Sequence, residues 1–533
     1  MFFNSRRSPV LAKNGMCATS QPLAAQVGLQ TLVNGGNAVD AAVACAAVLN
    51  VVEPISTGVG GDMFALIWDA KKKTIHALNG SGAAPLSSSI DELQSKGHRR
   101  VPEFGVYSVS TPGTVHGWET ILGSFGSMPL SEVLKPAIKY AEEGFPVTEI
   151  ISHQWRQVEE KISRLPSGQE MLINGRAPYH GETMSIPTLG HTLRTISEGG
   201  SEAFYKGEIG GKIAAFVQEQ GGWLSNEDLE MHSSDWDEPI STDYRGVTCW
   251  ECPPNGQGIA ALEALNIIEG FDMQQMGSQS AERYHYLIEA MRLAFADGFR
   301  YIADPRKTTV PIEHLISKTY AEQRRQLINN NSAMTSVPYG QVLEGSDTVY
   351  ISCIDREGNA CSFINSVFSN FGSGLVVPGT GIVLHNRASL FSLEPDHPNS
   401  LSGGKRPYHT IIPAMATQNG DLTLCYGVMG GFMQPQGHLQ MINNMVDLNM
   451  NPQESIDALR FQVVGDGVVL EEGVDQSVVQ QLQHMGHTVN LMAGPQRGGS
   501  GGMGGAQIIS RDPESGVLWG GSESRKDGCA IGW

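Results

Sequence analysis

Helical and strand-like spacings of apolar residues follow one another along the whole chain. Apolar positions three and four residues apart predict helices at residues 21–33, 38–52, 129–143, 188–198, 258–269, 281–303 and 320–328. Short runs of β-branched residues, bounded by Gly and Pro turns, lie between them. Helices that alternate with short strands predict a layered α/β fold. The helix at 38–52 is apolar nearly all round, so we expect it to be buried.

Residues 329–347 break this pattern, because they carry three consecutive Asn, scattered Ser and Gly, and no periodicity. Such a segment is typical of an exposed, mobile linker. Directly behind it, residues 348–354 and 360–366 form two apolar runs around the turn at 355–359. This pattern predicts a β-hairpin. Thr348 therefore opens a strand immediately after a linker.

Composition and charge exclude several classes of protein. The chain has 533 residues, 40% hydrophobic and 17% charged, which indicates a globular protein. Its formal charge of −19 disfavours nucleic-acid and membrane-surface partners. The most apolar stretch, 39–52, is shorter than the ~20 residues of a membrane span and contains Asp40 and Asn50. No apolar run follows the basic pair near the N-terminus, so we expect no secretory signal and a cytoplasmic location.

Two motifs that could suggest cofactors are better explained by packing. Cys249 and Cys252 match a C-x-x-C spacing but lie in a strand-like run, 244–252, where residues three apart face opposite sides. Because no second pair completes a zinc site, we interpret them as packed thiols. Gly256-Gln257-Gly258 resembles a dinucleotide fingerprint but lacks its βαβ frame. The sequence thus predicts no cofactor and no metal.

Thr348 is the candidate nucleophile. A hydroxyl needs a base, and the α-amino group of an N-terminal Thr can supply one, since it titrates near ~7.7–8.0. Thr348 is internal, so this chemistry requires cleavage between Asp347 and Thr348. On its own, a Thr that opens a strand is more simply a β-branched residue in its preferred element.

The surrounding motifs alter that interpretation. They are Asn37-Ala-Val-Asp40, Gly58-Val-Gly60-Gly61-Asp62, Thr111-Pro-Gly-Thr-Val-His-Gly117, Asp243-Tyr-Arg-Gly246, Gly358-Asn359, Phe371-Gly-Ser-Gly374, Lys405-Arg-Pro407 and Gly430-Gly431. In these motifs, which extend over nearly its whole length, the chain resembles the γ-glutamyltransferase (γ-glutamyl transpeptidase) family of N-terminal-nucleophile hydrolases. The resemblance implies a precursor that cleaves itself before a Thr, a four-layer αββα fold, and amide-bond chemistry through an acyl-enzyme.

The same resemblance implies the organisation of the mature protein. Residues 1–347 would form a large subunit and residues 348–533 a small one, associated in one intertwined unit. A dimer of such heterodimers is one arrangement left open. The implied partners are a small-molecule amide and, as acceptor, water or an amine.

Carried over by position, the resemblance assigns roles to four residues. Thr348 would be the nucleophile, and Ser366 falls where the family has a second Thr that supports it. Gly430 and Gly431 match the glycine pair whose backbone N–H groups form the oxyanion hole. Without the resemblance, that pair is simply a turn after a strand.

The sequence departs from the family where a γ-glutamyl group would bind. Ser81 replaces the Arg that holds the α-carboxylate, and Leu390 replaces the acidic residue that holds the α-amino group. Phe368 stands where the family has an Asn, and His409-Thr410 replace a Ser pair. A zwitterionic head group would lose both charged partners, so we expect a substrate other than glutathione or another mode of binding.

Arg387 and Arg406 are the nearby cations that could bind a carboxylate. The alternative for each is an ordinary surface or structural arginine. These replacements resemble the acylase-like branch of the family, which includes glutaryl-cephalosporin acylase-like and oxamate amidohydrolase-like proteins.

Three functions therefore stay open. The first is a self-processing amide hydrolase or acyltransferase with an N-terminal Thr, acting on glutathione or on other γ-glutamyl or carboxylated amides. The second is a glutaryl- or oxamate-type amidohydrolase. The third is a catalytically silent relative that acts as a binding or scaffold protein.

Overall fold

Twenty-one strands and eighteen α-helices build the part of the chain that the computed structural model describes, residues 7–337, 348–492 and 502–533. The strands are β1 (Val10–Ala12), β2 (Met16–Thr19), β3 (Asp62–Asp69), β4 (Thr74–Gly80), β5 (Phe145–Pro146), β6 (Thr183–Met184), β7 (Asp235–Asp237), β8 (Ile240–Tyr244), β9 (Val247–Glu251), β10 (Val349–Ile354), β11 (Ala360–Ser366), β12 (Leu375–Val377), β13 (Ile382–Leu384), β14 (Ala414–Gln418), β15 (Asp421–Met429), β16 (Phe461–Val464), β17 (Gly467–Glu471), β18 (Thr488–Met492), β19 (Gly505–Arg511), β20 (Leu518–Ser522) and β21 (Cys529–Gly532). The helices are α1 (Pro22–Val33), α2 (Ala38–Val52), α3 (Ile90–Ser95), α4 (Thr114–Phe125), α5 (Leu130–Val133), α6 (Lys135–Glu143), α7 (Glu149–Gln157), α8 (Glu159–Ile162), α9 (Pro187–Tyr205), α10 (Glu208–Glu219), α11 (Asn226–Glu230), α12 (Gly258–Ile268), α13 (Ala281–Tyr301), α14 (Ile312–Leu315), α15 (Lys318–Arg325), α16 (Met433–Ile442), α17 (Pro452–Asp457) and α18 (Gln476–His484).

Two seven-stranded antiparallel sheets form the centre. The first has the order β21-β2-β10-β11-β3-β4-β7 and the second the order β1-β20-β19-β15-β14-β9-β8. Both contain strands from before and after residue 347. In the first sheet β10 and β11 lie between β2 and β3, so the two parts of the chain share one ladder of hydrogen bonds.

Three apolar cores separate four layers. One core packs α1, α2 and neighbouring helices on the first sheet, and another packs α12, α13 and α16 on the second. Between the sheets lie buried side chains such as Phe64, Tyr350 and Met415. This is the αββα arrangement that the resemblance implied. Helix α2 is buried at every position, as its pattern predicted, and Asn37 and Asp40 cap its start.

The structure corrects some boundaries for local reasons. Residues 129–143 form two helices, α5 and α6, because Pro136 cannot donate the backbone hydrogen bond that would join them. Helix α9 runs beyond 198 to Tyr205, across a kink at Gly200 with φ of +63°. The predicted single strand at 244–252 is wrong: Arg245 and Gly246, both at positive φ, turn it into the β8–β9 hairpin.

The predictions for the two cysteines of the C-x-x-C spacing and for the β10–β11 hairpin are confirmed. Cys249 and Cys252 point to different cores, one outside the second sheet and one between the sheets. Strands β10 and β11 pair from Val349 with Asn365 to Ile354 with Ala360. No helix in the described ranges is both long and apolar enough to cross a membrane.

The predicted linker lies partly within the described residues. Residues 329–337 are largely exposed, but two backbone hydrogen bonds anchor them, from Ala333 to Met485 (2.7 Å) and from Met334 to the Glu289 carboxylate (2.7 Å). The mobility of residues 329–347 stays a prediction. Residues 338–347, with the predicted cleavage residue Asp347, lie outside the described residues.

Candidate active site

Thr348 is fully buried and immediately precedes β10. Its Oγ1 lies 3.1 Å from the Oγ of Ser366, the last residue of β11. That Ser366 oxygen accepts hydrogen bonds from the Phe368 backbone N–H (2.8 Å) and from Nη2 of Arg387 (3.2 Å). These bonds hold the Ser366 hydroxyl beside the Thr348 oxygen.

Arg387 is a buried cation at the centre of this cluster. Its Nη1 donates to the Thr410 hydroxyl (2.7 Å), and its guanidinium lies 4.5 Å above the ring of Phe368. Burial lowers the pKa of Arg387 to about 9, against the opposing charge of Asp62. Arg387 is thus cationic at neutral pH, and the surface alternative is wrong. Each Nη keeps one further N–H that could bind a carboxylate.

Asp62 is the anion of the cluster. Its Oδ2 lies 3.0 Å from Nδ1 of His385, 3.0 Å from Nε2 of His409 and 3.8 Å from Nε of Arg387, while Oδ1 accepts from the Gly82 N–H (3.1 Å). Burial by itself raises the pKa of Asp62, but the charge and hydrogen bond of His385, and then the hydrogen bond of His409, hold it well below its usual range. The carboxylate is therefore ionised and fully engaged.

His409 faces this carboxylate as a neutral ring. Burial, and then the charge of Arg387, lower its pKa to about 3. Its Nδ1 accepts from the Ile411 N–H (3.3 Å), which assigns the ring proton to Nε2, toward Asp62. His409 therefore helps to hold Asp62 beside Arg387.

Ser81 lies apart from Arg387. Its hydroxyl donates to Asn79 (2.7 Å) and accepts from Asn255 (3.3 Å), and the described residues show no hydrogen bond between Ser81 and Arg387. It lines a small cavity of about 140 Å³ together with Arg406. Arg406 is buried too, and it pairs with Asp235 at 2.8 Å. The hydrogen bonds that connect Thr348 to Arg387 through Ser366 therefore include neither Ser81 nor Arg406.

Gly430 and Gly431 turn the chain from β15 into α16. Their φ angles are +119° and +57°, and a Cβ on Gly430 would lie 3.0 Å from Cα of Gly504. Glycine alone adopts this turn readily. Neither amide N–H donates to an acceptor within the described ranges, so both can serve a ligand. Gly504 belongs to a glycine-rich stretch that precedes β19; residues 493–501 lie outside the described residues.

Sequence reasoning gave no role to Gln257, which joins the glycine turn to the rest of the cluster. Its amide donates to the Thr410 carbonyl (2.7 Å) and to the Gly431 carbonyl (2.9 Å). The Gly256-Gln257-Gly258 stretch had only suggested a false nucleotide motif. Asp62 lies in one of the motifs that match the family, but only the folded chain shows its contact with His385.

One other cluster has the residue types of a metal site. The sulfur atoms of Cys17, Cys45 and Cys353 lie within 4.8 Å of one another in the core against α2. A structural zinc needs four ligands, and no fourth ligand joins them in the described part of the chain. Three thiolates would also bury uncompensated charge among apolar side chains. We therefore assign this cluster to packing.

Replacing the central carboxylate is expected to be costly. Asp62→Asn should lower the free energy of unfolding by about 3 kcal/mol at neutral pH, because Arg387 loses its buried counter-charge. The folded pKa of Asp62 lies below its unfolded value near ~3.9, so its contribution is complete above that value and fades as the pH falls. Urea unfolding near pH 7 and near pH 3 should therefore show a smaller difference from wild type in acid.

Asp421→Asn is the matched control, since the half-buried Asp421 pairs with exposed Lys73 and with no other cation in the described part of the chain. It should change stability by less than about 1 kcal/mol. If Asp62→Asn lowers the free energy of unfolding by the same amount at both pH values, the ionised carboxylate is not what stabilises the cluster.

Comparison with known proteins identifies the family of the chain. The Gamma-glutamyltranspeptidase family model matches residues 24–533. A glutathione hydrolase-like proenzyme of Bacillus subtilis (YwrD) is 37% identical over 98% of this chain and 99% of its own length. An oxamate amidohydrolase proenzyme of Klebsiella pneumoniae is 33% identical, over 98% and 99%. The crystal structure of a cephalosporin acylase from Bacillus halodurans superposes with a TM-score of 0.93 at 44% identity, covering 100% of this chain and 98% of that one. The chain therefore belongs to the gamma-glutamyltranspeptidase family and is an enzyme of the amidohydrolase type.

Proposed function

We propose that this chain is a self-processing amide hydrolase whose nucleophile is Thr348, freed as an N-terminal residue by cleavage after Asp347. The contact of 3.1 Å between the Thr348 and Ser366 hydroxyls is the observation that carries the proposal. Arg387 and the Phe368 N–H hold Ser366 in place, and we assign its hydroxyl as a donor to the oxygen that would attack. Relatives that carry the word proenzyme in their names support processing.

The proposed reaction has two halves. The α-amine of Thr348 takes the hydroxyl proton as the oxygen attacks the amide carbonyl, and the N–H groups of Gly430 and Gly431 bind the resulting oxyanion. The amine product takes the proton and leaves an acyl group on Thr348. Water then attacks this ester with the same base, and the acid product departs. The Ser366 hydroxyl donates a hydrogen bond to the Thr348 oxygen in each state in which that oxygen carries negative charge.

The proposed substrates are amides whose acyl group ends in a carboxylate, of the glutaryl or oxamate type. Arg387 offers two unused N–H groups beside Ser366, whereas the one carboxylate of the cluster, Asp62, is already engaged by three partners. An α-ammonium group would thus find a cation and no available anion there. Glutathione hydrolysis is the alternative that the names of some relatives suggest.

A denaturing gel tests the processing step. Cleavage after residue 347 should give fragments of 347 and 186 residues, about 37 and 20 kDa of the 57.3 kDa chain. The fragments should elute together from a sizing column without denaturant, since both sheets contain strands of both. A single full-length band that persists after long incubation would instead favour the catalytically silent relative, because processing and turnover need the same activated Thr.

A further inference from the structure

Two cysteines from distant parts of the chain face each other across neighbouring strands. Cys17 lies in β2 and Cys353 in β10, and the two residues are direct partners in the antiparallel ladder. Both side chains are fully buried in the core against α2, and their sulfur atoms lie 3.3 Å apart. The two thiols are therefore in contact in the folded protein.

The hydrogen-bond pattern of the sheet brings the side chains of this pair close together. The Asp355 N–H donates to the Asn359 carbonyl at the β10–β11 turn (3.0 Å). Because pairs alternate along an antiparallel ladder, the backbone groups of Cys353 also face β11, and its pair with Cys17 is of the non-hydrogen-bonded kind. Opposite residues have Cβ atoms about 4.5–5.5 Å apart, and this kind of pair has the closest ones. The pair thus approaches the ~3.5–4.5 Å between Cβ atoms that a disulfide requires.

Two further cysteines near Cys353 have a different geometry. Cys45 belongs to helix α2, so no ladder places it opposite Cys353, although its sulfur lies within 4.8 Å of the other two. Cys361 is the partner of Cys353 on β11, where the alternation gives the hydrogen-bonded kind of pair with more widely spaced side chains. Cys17 is therefore the best-placed partner for a bond to Cys353.

The proposed cleavage point lies between these two cysteines in the chain. Cys17 belongs to residues 1–347, the proposed large subunit, and Cys353 to residues 348–533, the proposed small subunit. A bond between their sulfur atoms would join the two subunits covalently. It would also leave the core without charge, because a disulfide is neutral, whereas thiolates bound to a metal ion carry negative charge.

We propose that Cys17 and Cys353 form a disulfide when a hydroperoxide oxidises them, and that this bond links the two subunits after cleavage. The link between subunits rests on the proposed function, because only cleavage after residue 347 separates the two cysteines. The bond itself does not depend on cleavage.

The chemistry needs one molecule of hydroperoxide for each bond. One sulfur attacks the peroxide oxygen and becomes a sulfenic acid, with release of water if the oxidant is hydrogen peroxide. The second thiol then attacks that sulfur and displaces the hydroxyl group as another water molecule. The two thiols lose two electrons and two protons in all, and hydrogen peroxide takes them up to form two waters.

The edge of the first sheet gives the oxidant a route to the buried pair. Strand β21 is the outermost strand of that sheet, pairs with β2, and is half-buried at every residue. Ile531 of β21 is the ladder partner of Cys17. Fraying of such a short edge strand costs little free energy compared with global unfolding. We expect oxidation to wait for this opening and therefore to be slower than that of an exposed thiol.

A non-reducing denaturing gel tests the link. The processed protein is incubated with hydrogen peroxide for several hours, its remaining thiols are blocked with N-ethylmaleimide, and it is run without reductant. The fragments of about 37 and 20 kDa should be replaced by one band near 57.3 kDa, and dithiothreitol should restore them. Fragments that stay separate after this treatment would overturn the proposal.

Single substitutions identify the two sulfur atoms. Cys17→Ala and Cys353→Ala should each abolish the linked band, because each removes one partner. Cys45→Ala and Cys361→Ala are the matched controls: both replace a fully buried cysteine of the same core and should leave the band unchanged. Thermal unfolding checks that each variant is folded. A band that survives Cys17→Ala, or that either control removes, would overturn the assignment to this pair.

Peptide mass spectrometry separates this proposal from the proposed function. Trypsin should release residues 14–71 with Cys17, joined to residues 326–356 or, after cleavage, 348–356 with Cys353. Because residues 14–71 also contain Cys45, the oxidised Cys45→Ala variant is the one to digest. Joined peptides from a chain that stays uncleaved would support the disulfide and count against self-processing. Cleaved chains that yield no joined peptides would overturn the disulfide and leave self-processing intact.

Discussion

Thr348→Ala is expected to abolish both chain cleavage and amide hydrolysis, with kcat reduced by at least about 10⁴-fold. The variant removes the hydroxyl proposed to carry the acyl group and leaves Ser366 and Arg387 in place. Thr348→Ser keeps a hydroxyl and the future α-amine, so it should retain part of each activity. A gel and a glutaryl amide assay on the same preparations provide the measurements.

Thr31→Ala provides the control, because the Thr31 hydroxyl bonds only to Val27 O in its own helix. It should process and turn over normally. Hydrolysis by Thr348→Ala above the background of that assay would disprove the nucleophile assignment, and with it the roles proposed for Gly430 and Gly431.

The second expected result is a strong preference against γ-glutamyl groups. For a matched amine, kcat/KM for a γ-glutamyl amide should be at least ~10²-fold below that for the glutaryl amide, because an unpaired buried ammonium costs several kcal/mol. Leu390 offers it no charge, and the Asp62 carboxylate is occupied by His385, His409 and Gly82.

Arg387→Lys tests whether Arg387 binds the carboxylate of the acyl group, and it disturbs the structure less than Arg387→Ala would. A lysine keeps the charge but cannot hold Ser366, Thr410 and a carboxylate in one plane. We expect KM for the glutaryl amide to rise and the advantage over a butyryl amide, which lacks the carboxylate, to shrink. Efficient glutathione hydrolysis that Arg387→Lys leaves undiminished would show that other residues hold the acyl group.

Local patterns predicted much of the fold, because the sequence of some elements determines their structure with little dependence on tertiary contacts. Helix α2 is apolar all round and well capped, and the β10–β11 hairpin follows from alternation around one turn. The kink at Gly200 and the reversal at Arg245-Gly246 depend on single backbone angles that flanking residues do not specify. Periodicity was therefore reliable for long elements and failed where one residue redirects the chain.

The site shows a similar division. The resemblance indicated Thr348 and Ser366, and Arg387 was a candidate only as a nearby cation. The structure brings the three within hydrogen-bonding distance of one another through Ser366. The resemblance could not have shown that Arg387 is buried, since a lone arginine in sequence is usually exposed. Asp62 is the clearest omission: its partners lie more than 300 residues away in the chain, so only tertiary packing places them together.

The interleaving of the first sheet constrains how the protein is made. During synthesis β2 and β3 leave the ribosome long before β10 and β11, the strands that lie between them. Until those arrive, each early strand exposes an unpaired edge of the kind that promotes aggregation. A single precursor keeps the late strands tethered at high effective concentration, so covalent continuity is needed for folding and becomes dispensable once the ladder has closed.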